Sequence, residues 1–255
     1  MSSPAPAGKG IYMKQILRAV ILCALAAALM AGPAQAATAA KAKAEKKKAG
    51  PHLVFSNPNY DFELLRAIGY TLSGGADINE CLKTARAIKQ GEKESWYENW
   101  RTLAERILAM GRASLEAGHK VSAREAFLRA SNYFRMAEFY LHGNPKDPRI
   151  VKTWGQSRDC FRKAAGLMDH PVEVIKIPYE KTTLPGYFLR PDNSGRKRKT
   201  LILQTGFDGT GEELYFSTGF FALKRGYNVL IFEGPGQGGA LREQHLHFRP
   251  DWERA

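Results

Sequence analysis

Two glycine-rich segments are the places in this sequence where backbone groups could take part in chemistry. Residues 205–211 read TGFDGTG and residues 233–238 read EGPGQG. Each follows a short apolar run, 200–204 (TLILQ) or 227–232 (YNVLIF), of the kind that forms a strand buried on both faces. Glycine lets a chain turn tightly and lets backbone N–H groups approach a ligand. Binding or catalytic groups are therefore expected at these two turns.

The segment between the turns predicts a helix that joins two parallel strands. Residues 212–224 carry apolar side chains at helical spacing, and Gly226 follows as a stop signal. Strand, turn, helix and strand make a βαβ unit, which should cross over right-handed. Because ligands of such sheets bind where loops leave the carboxyl ends of strands, both turns are well placed for a site.

An antiparallel hairpin is predicted ahead of this unit. Residues 171–178 (PVEVIKIP) and 182–191 (TTLPGYFLRP) read as its strands, with a turn around Lys181. A polar, basic loop at 192–199 then leads into the βαβ unit. Residues 171–255 are thus predicted to form part of an α/β sheet.

Residues 59–170 predict a helical domain that packs on this sheet. Capping signals indicate helix starts at Asp77, Ser95, Ser122 and Asp147, and Asp147 precedes a proline, which suits a first turn. The third and fourth helices resemble a TPR-type hairpin, but a repeat array needs about three stacked units. Six aromatic side chains are interpreted as core packing, with a substrate cage as the alternative. They are Trp96, Tyr97, Trp100, Phe134, Phe139 and Tyr140.

Four stretches, TGFDGTGEELYF, RGYNVL, FEGPGQG and RPDWE, resemble the α/β-hydrolase superfamily. The similar branch has a helical domain before the hydrolase core and includes 2,6-dihydroxypseudooxynicotine hydrolase and the FrsA-like esterases. The resemblance runs from about Asn59 to the end of the chain, and it is strongest at the glycine-rich turns. It implies an α/β fold in which an N-terminal all-α helical domain is followed by the first, incomplete part of an α/β-hydrolase sheet.

The resemblance also gives the first turn a chemical role. Hydrolases of this superfamily hold a developing oxyanion with two backbone N–H groups, one of them in the turn after the third strand. Here Gly206 would permit the tight turn, the Phe207 N–H is the candidate donor, and the Asp208 N–H is the next candidate. Thr205 stands where the superfamily often has histidine, so the donor could be displaced by one residue. A turn that only connects strand and helix is the alternative.

No nucleophile, acid or histidine of a catalytic triad can be assigned in this chain. The motif G-x-S-x-G is absent, and Ser157, which follows Gly155 and Gln156, lacks the second glycine and falls in a predicted helix. The resemblance therefore implies a chain truncated before the nucleophile elbow. Whether this chain is itself an enzyme stays open.

The function expected is that of the N-terminal part of an exported, serine-dependent hydrolase acting on an ester, amide or activated C–C bond of a small molecule. The alternative is a non-catalytic helical interaction module with a vestigial hydrolase segment. No cofactor is expected, because residues 234–238 lack the Gly-Lys-Ser/Thr of a nucleotide loop and no helix clearly starts on them. No metal is expected either, since His245 and His247 supply only two ligands and read as loop residues.

The first 36 residues have the pattern of a secretory signal peptide. Lys14 and Arg18 precede an apolar run at 19–31, and residues 34–36 give an A-x-A cleavage site. The run is too short to span a bilayer as a helix. The sequence therefore predicts export to the periplasm or beyond, with no stable membrane insertion after cleavage; a retained anchor is the alternative. Residues 37–58 predict a Lys-rich disordered tether.

The formal net charge of +13 is concentrated in three short segments: the leader, the tether and the loop at 196–199. A nucleic-acid-binding protein would usually spread its basic residues over a folded face, so no nucleic-acid partner is expected. A small-molecule substrate and a possible homodimer are the expected partners. Cys81 and Cys160 could pair in an oxidising compartment, but two separate buried thiols are the favoured interpretation.

Overall fold

The computed structural model describes residues 52–254. The predicted signal peptide at 1–36 and most of the predicted tether at 37–58 lie outside the described residues. Within the described range the helices come first and a four-stranded sheet follows. No helix between residues 52 and 254 is long and apolar enough to cross a membrane.

Five helices form the first part of the range 52–254, and two of them start at carboxylate caps that the local sequence supplies. The Asp77 carboxylate accepts a hydrogen bond from the Glu80 N–H at 2.9 Å, and the Asp147 carboxylate accepts one from the Arg149 N–H at 2.9 Å. These two predicted helix starts are confirmed. The helices are α1 (Pro58–Gly69), α2 (Ile78–Ala87), α3 (Lys93–Glu116), α4 (Lys120–Glu138) and α5 (Pro148–Ala165). Short 3₁₀ turns follow at Thr71–Ser73, Phe139–Gly143 and Trp252–Arg254.

The helix starts predicted at Ser95 and Ser122 are wrong, because both helices begin earlier. Helix α3 starts at Lys93, and the Ser95 hydroxyl accepts a hydrogen bond from the Lys89 N–H at 2.9 Å instead of capping the helix. Helix α4 starts at Lys120, directly after the turn that ends α3. Both predicted capping boxes therefore lie inside their helices.

The core of the helical region is aromatic. Trp96, Trp100 and Phe134 are fully buried, and the Trp96 Nε1–H donates a hydrogen bond to the Met136 carbonyl at 2.6 Å. Tyr97 is also buried, and Tyr140 packs against the same cluster. Core packing, rather than a substrate cage, is confirmed for these five side chains. The sixth, Phe139, is half-buried, and the Arg135 guanidinium lies 5.1 Å from the centre of its ring. Cys81 and Cys160 are buried free thiols and do not form a disulfide.

The sheet has the strand order β1-β2-β4-β3. Its strands are β1 (Val172–Tyr179), β2 (Thr182–Leu189), β3 (Thr200–Gln204) and β4 (Asn228–Phe232). Strands β1 and β2 pair antiparallel, as do β2 and β4, whereas β3 and β4 pair parallel. The predicted hairpin and the predicted βαβ unit are both confirmed.

Strand β3 differs from its prediction in burial. A strand buried on both faces was expected, but β3 lies at the edge of the described sheet and Ile202 is 63% exposed. Leu201 and Leu203 point to the opposite face and pack against a second hydrophobic cluster, formed by residues of the helices and of the sheet that include Phe127, Phe161, Tyr187 and Ile231. Within residues 52–254, helices cover the face of Leu201 and Leu203 but not that of Ile202. The apolar run alone therefore predicted burial of both faces, whereas one is exposed.

The crossover helix contains a wider turn in its middle. It consists of α6 (Gly211–Leu214), a π-helical turn (Tyr215–Gly219) and α7 (Phe220–Lys224), which ends just before Gly226 as predicted. Thr210 and Glu213 form a reciprocal capping box at its start. A further short helix, α8 (Gly238–Arg242), begins on the second glycine-rich turn. The expectation that no helix starts there was therefore wrong.

Candidate active site

The two glycine-rich turns lie side by side. They leave the carboxyl ends of β3 and β4, which are neighbouring parallel strands with Gln204 opposite Phe232. The expected meeting of the two turns at one edge of the sheet is thus confirmed.

Gln237 in the second turn holds the first turn. Its Nε2 donates hydrogen bonds to the Thr205 carbonyl at 2.7 Å and to the Gly206 carbonyl at 3.1 Å. Its Oε1 accepts hydrogen bonds from the Gly234 N–H at 2.9 Å and from the Gln204 Nε2 at 3.0 Å. The Gln237 side chain is 2% exposed, so this buried amide links both turns and the end of β3.

Glu233 joins the same turns through the starts of two helices. One carboxylate oxygen accepts the Gly211 N–H and the other accepts the Gly239 N–H, each at 2.7 Å. Burial, and then the neighbouring Glu212, raise the pKa of Glu233 to about 7. Gly238 has a φ of +33°, and a Cβ at this position would overlap the Glu233 carboxylate. The second turn therefore requires glycine at 238.

Two arginines from the helical region contact the first turn. The Arg135 Nη2 donates to the Asp208 carbonyl and its Nε donates to the Glu213 carboxylate, both at 2.9 Å. The Arg66 Nη1 donates to the Asp208 carboxylate at 3.2 Å, and its Nη2 donates to Glu213 at 3.0 Å. Although burial opposes it, Arg66 and Arg135 lower the pKa of the Asp208 carboxyl. The Asp208 side chain thus anchors the turn to the helices as a carboxylate.

Gly206 and Phe207 lie at the open side of this arrangement. No atom lies within 4 Å of a Cβ built on Gly206, and its φ is outside the left-handed region. The turn therefore does not need glycine at 206, contrary to the expectation that glycine permits it. The Phe207 N–H has no hydrogen-bond acceptor among residues 52–254. The Phe207 side chain is 79% exposed, and its ring lies 5.7 Å from that of Phe248.

A groove of about 400 Å³ runs between α1 and the first turn. Glu63 and Arg66 line one side, and Gly206 and Asp208 line the other. One oxygen of the buried Glu63 carboxyl, Oε2, makes no hydrogen bond within the described part of the chain. Burial raises the pKa of Glu63 to about 6. The groove is therefore lined by Gly206, whose carbonyl belongs to the same peptide as the free Phe207 N–H, and not by Phe207 itself.

The Ser157 hydroxyl is bound within the helices, whereas the loop of His245 and His247 contacts the second turn through the Leu246 carbonyl, which accepts from the Gly236 N–H at 2.7 Å. Ser157 is 1% exposed in α5, and its hydroxyl donates to the Ser131 carbonyl at 2.7 Å. His245 and His247 lie exposed in the loop after α8. Across residues 52–254, no group of three His, Cys, Asp or Glu side chains is arranged to hold a metal ion.

Sequence reasoning missed Arg66, Arg135 and Gln237, which hold the first turn in place. Arg135 could have been noticed, because it lies in the apolar run Tyr133-Phe134-Arg135-Met136-Ala137 on a helix. A charge in such a run is buried only with a partner. Glu138, three positions on, lies 3.7 Å away, but the two groups that accept hydrogen bonds from Arg135 are more than 70 positions away in the sequence, and no local pattern indicates them.

Comparison with known proteins identifies related sequences and a solved structure with a similar fold. No family model matches the chain. The chain is 44% identical over 206 residues to the hydrolase LUC6 of Fusarium sp, a match that covers 79% of this chain and 49% of that protein. It is 44% identical over 206 residues to the 20-hydroxy-prefusarin hydrolase FUS2 of Gibberella moniliformis, with the same two coverages. It is 43% identical over 198 residues to the alpha/beta hydrolase pydG of Acremonium sp, with 76% and 46% covered.

The fold is similar to the crystal structure of 2,6-dihydroxy-pseudo-oxynicotine hydrolase, with a TM-score of 0.60 and 24% identity over 73% of this chain and 50% of that one. The chain spans about half the length of the curated relatives it matches.

These matches, together with the helices and the βαβ unit, identify the class of protein to which the chain belongs. The chain belongs to the α/β-hydrolase superfamily. Within that superfamily its fold is that of the branch of 2,6-dihydroxy-pseudo-oxynicotine hydrolase, in agreement with the resemblance seen in the sequence.

Proposed function

We propose that this chain is the N-terminal part of an exported, serine-dependent hydrolase that cleaves an ester, amide or activated C–C bond of a small molecule. One observation carries the proposal. The Phe207 N–H makes no hydrogen bond within residues 52–254, yet the turn that bears it is fixed by Gln237 on one side and by Arg135 on the other. An unused donor on an immobilised turn is what the stabilisation of an oxyanion requires.

The chemistry follows from this donor and from the groove. A substrate carbonyl whose oxygen lies at the Phe207 N–H would have the rest of the molecule in the groove beside Gly206 and Glu63. When a nucleophile attacks the carbonyl carbon, negative charge develops on that oxygen and the hydrogen bond strengthens. A fixed donor of this kind lowers the barrier by roughly 3–4 kcal/mol, because it needs no reorganisation. The relatives named hydrolases are about twice as long, and the serine, acid and histidine are proposed to come from a corresponding longer form.

The proposal is tested with the 255-residue chain and with a form extended to the length of the relatives. Both are incubated with short p-nitrophenyl esters and with a serine-directed fluorophosphonate. The extended form should turn over the esters and become labelled, whereas the 255-residue chain should do neither. Turnover by the 255-residue chain that the fluorophosphonate abolishes would contradict the assignment of the triad to a longer form.

A pair of variants at one position tests the oxyanion role in the extended form. Phe207→Pro removes the N–H donor, whereas Phe207→Ala keeps the donor and removes only the exposed ring. We expect Phe207→Pro to lower kcat by roughly 100- to 1000-fold with a smaller change in KM. Equal kcat values for the two variants would show that this turn is only a connector.

Export is proposed from the signal-peptide pattern of residues 1–36. Amino-terminal sequencing of periplasmic material should begin at Ala37. Recovery of only the uncleaved chain in the membrane fraction would support a retained anchor instead.

A further inference from the structure

The direction of the Phe207 N–H depends on the carbonyl that precedes it. The Gly206 C=O and the Phe207 N–H belong to the same peptide group, which is planar and trans, so the two bonds point in opposite directions. A contact that fixes the Gly206 carbonyl oxygen therefore fixes the Phe207 N–H as well. The Gln237 Nε2 makes that contact, at 3.1 Å.

The Gln237 side chain is suited to this task because its own position is determined. Both of its amide hydrogens are used, on the carbonyls of Thr205 and Gly206, and its oxygen accepts from Gly234 and Gln204. A buried amide with two donors and two acceptors satisfied has one orientation. The carbonyls of two successive peptides are thus held by one rigid group.

Other contacts to the turn act on different peptides. The Arg135 Nη2 binds the Asp208 carbonyl, which belongs to the peptide between Asp208 and Gly209. The Gln204 Nε2 binds the Thr205 carbonyl, which belongs to the peptide between Thr205 and Gly206. Within residues 52–254, Gln237 is the side chain that donates to the peptide carrying the Phe207 N–H.

We propose that Gln237 is a positioning residue that aims the Phe207 N–H at the reacting carbonyl, an inference that rests on the proposed function. Gln237 does not itself touch the substrate, because it lies beneath the turn and is 2% exposed. Its effect is transmitted through the Gly206–Phe207 peptide. The chemical identity of the side chain matters for this role, since two donors must reach two adjacent carbonyls.

The first test measures the order of the turn in the 255-residue chain and needs no activity. In Gln237→Met the side chain keeps a similar volume but loses both donors. Gln244→Met is the matched control, because the Gln244 Nε2 also donates to a backbone carbonyl, that of Thr183 at 2.7 Å, which is outside the turn. Backbone ¹⁵N order parameters of Gly206 and Phe207 should fall from about 0.85 to below about 0.6 in Gln237→Met and stay unchanged in Gln244→Met. Unchanged values in a folded Gln237→Met chain would overturn the proposal.

Should Gln237→Met not fold, Gln237→Asn takes its place. Asparagine keeps the amide but is one methylene shorter, so it cannot reach both carbonyls from the same backbone position. The same loss of order at Gly206 and Phe207 is expected, and its absence would again overturn the proposal.

The second test separates this inference from the proposed function. In the extended form, Gln237→Met should lower kcat by up to roughly 100-fold while KM changes little, because the oxyanion exists only near the transition state. A turn that loosens without any loss of kcat would leave Gln237 as a positioning residue of the turn and refute the oxyanion role. A turn that stays ordered would refute the role of Gln237 whatever the activity.

Discussion

Replacing Arg135 by methionine should destabilise the protein far more than replacing an exposed arginine of the same helical region. The Arg135 side chain is 2% exposed and donates two hydrogen bonds, to the Glu213 carboxylate and to the Asp208 carbonyl. Methionine fills much of the same space without polar atoms. The variant therefore removes the two hydrogen bonds and the charge, and leaves the packing largely intact.

The expected loss in the free energy of unfolding depends on which groups stay paired in Arg135→Met. A hydrogen bond that involves a charged group contributes about 1.5–3 kcal/mol, so two of them give roughly 3–6 kcal/mol. The loss is reduced because Arg66 still pairs with Glu213 at 2.9 Å, which keeps that carboxylate from being stranded. We expect a loss of about 3–4 kcal/mol in the free energy of unfolding. For a folded region of this size this corresponds to roughly 10 °C in Tm.

Urea unfolding of the 255-residue chain measures the effect, with Arg106→Met as the control. Arg106 is 56% exposed and lies 3.8 Å from the Glu80 carboxylate, so its loss should cost about 1 kcal/mol or less. A double-mutant cycle of Arg135→Met with Glu213→Gln should give a coupling energy of about 1 kcal/mol or more. An Arg135→Met chain within about 1 kcal/mol of the unmodified protein would refute the reasoning. It would show that the burial of the charge offsets all that its partners contribute.

Three further results are expected. Gly238→Ala should lose about 2 kcal/mol or more of stability, because its Cβ would overlap the Glu233 carboxylate. Gly206→Ala should stay within about 0.5 kcal/mol of the unmodified protein, because its Cβ has open space. Urea unfolding of both variants checks this, and equal losses would contradict the reasoning. The pKa of Glu233 is about 7 in the folded protein against an ordinary value of 4.5, so the folded state binds the proton more tightly and stability should fall as the pH rises from about 4.5 to 7. Unfolding measurements at about pH 5 and about pH 7 should show a smaller fall in Glu233→Gln, and the same slope in both proteins would contradict the assignment.

The βαβ unit could be predicted because each of its signals is local. The runs at 200–204 and 227–232 are short and apolar, and Gly226 lies just after the helix between them. The caps at Asp77 and Asp147 were predictable for the same reason, since a carboxylate beside a helix start contacts an N–H only a few residues away. Ser95 shows where this reasoning fails. Its hydroxyl accepts a hydrogen bond from the Lys89 N–H, a donor that lies before the helix start, instead of one from the first turn of the helix.

The contacts that hold the candidate site could not be predicted, because they join distant parts of the chain. An arginine at 66 or 135 indicates a charge, but its geometry depends on how α1 and α4 lie against the first turn. Gln237 lies within the motif EGPGQG, but its amide can donate to the Thr205 and Gly206 carbonyls only when the two turns are side by side. The exposure of β3 was mispredicted for a related reason. Burial of an apolar strand depends on the elements that cover its two faces, and these are set by the tertiary fold.

The helical region and the sheet depend on one another at the candidate site. The second hydrophobic cluster contains Phe127 and Phe161 from the helices together with Tyr187 and Ile231 from the sheet, so it exists only when the two are packed. The same packing supplies Asp208 and Glu213 with their arginines. Without the helices the turn would lose its charged anchors. Without the turn Arg135 would lose both of its hydrogen-bond acceptors and keep only the Glu138 carboxylate, 3.7 Å away on the same helix. Packing of the helices on the sheet therefore fixes the first glycine-rich turn. The Phe207 N–H keeps its direction because groups from both regions hold the peptides around it.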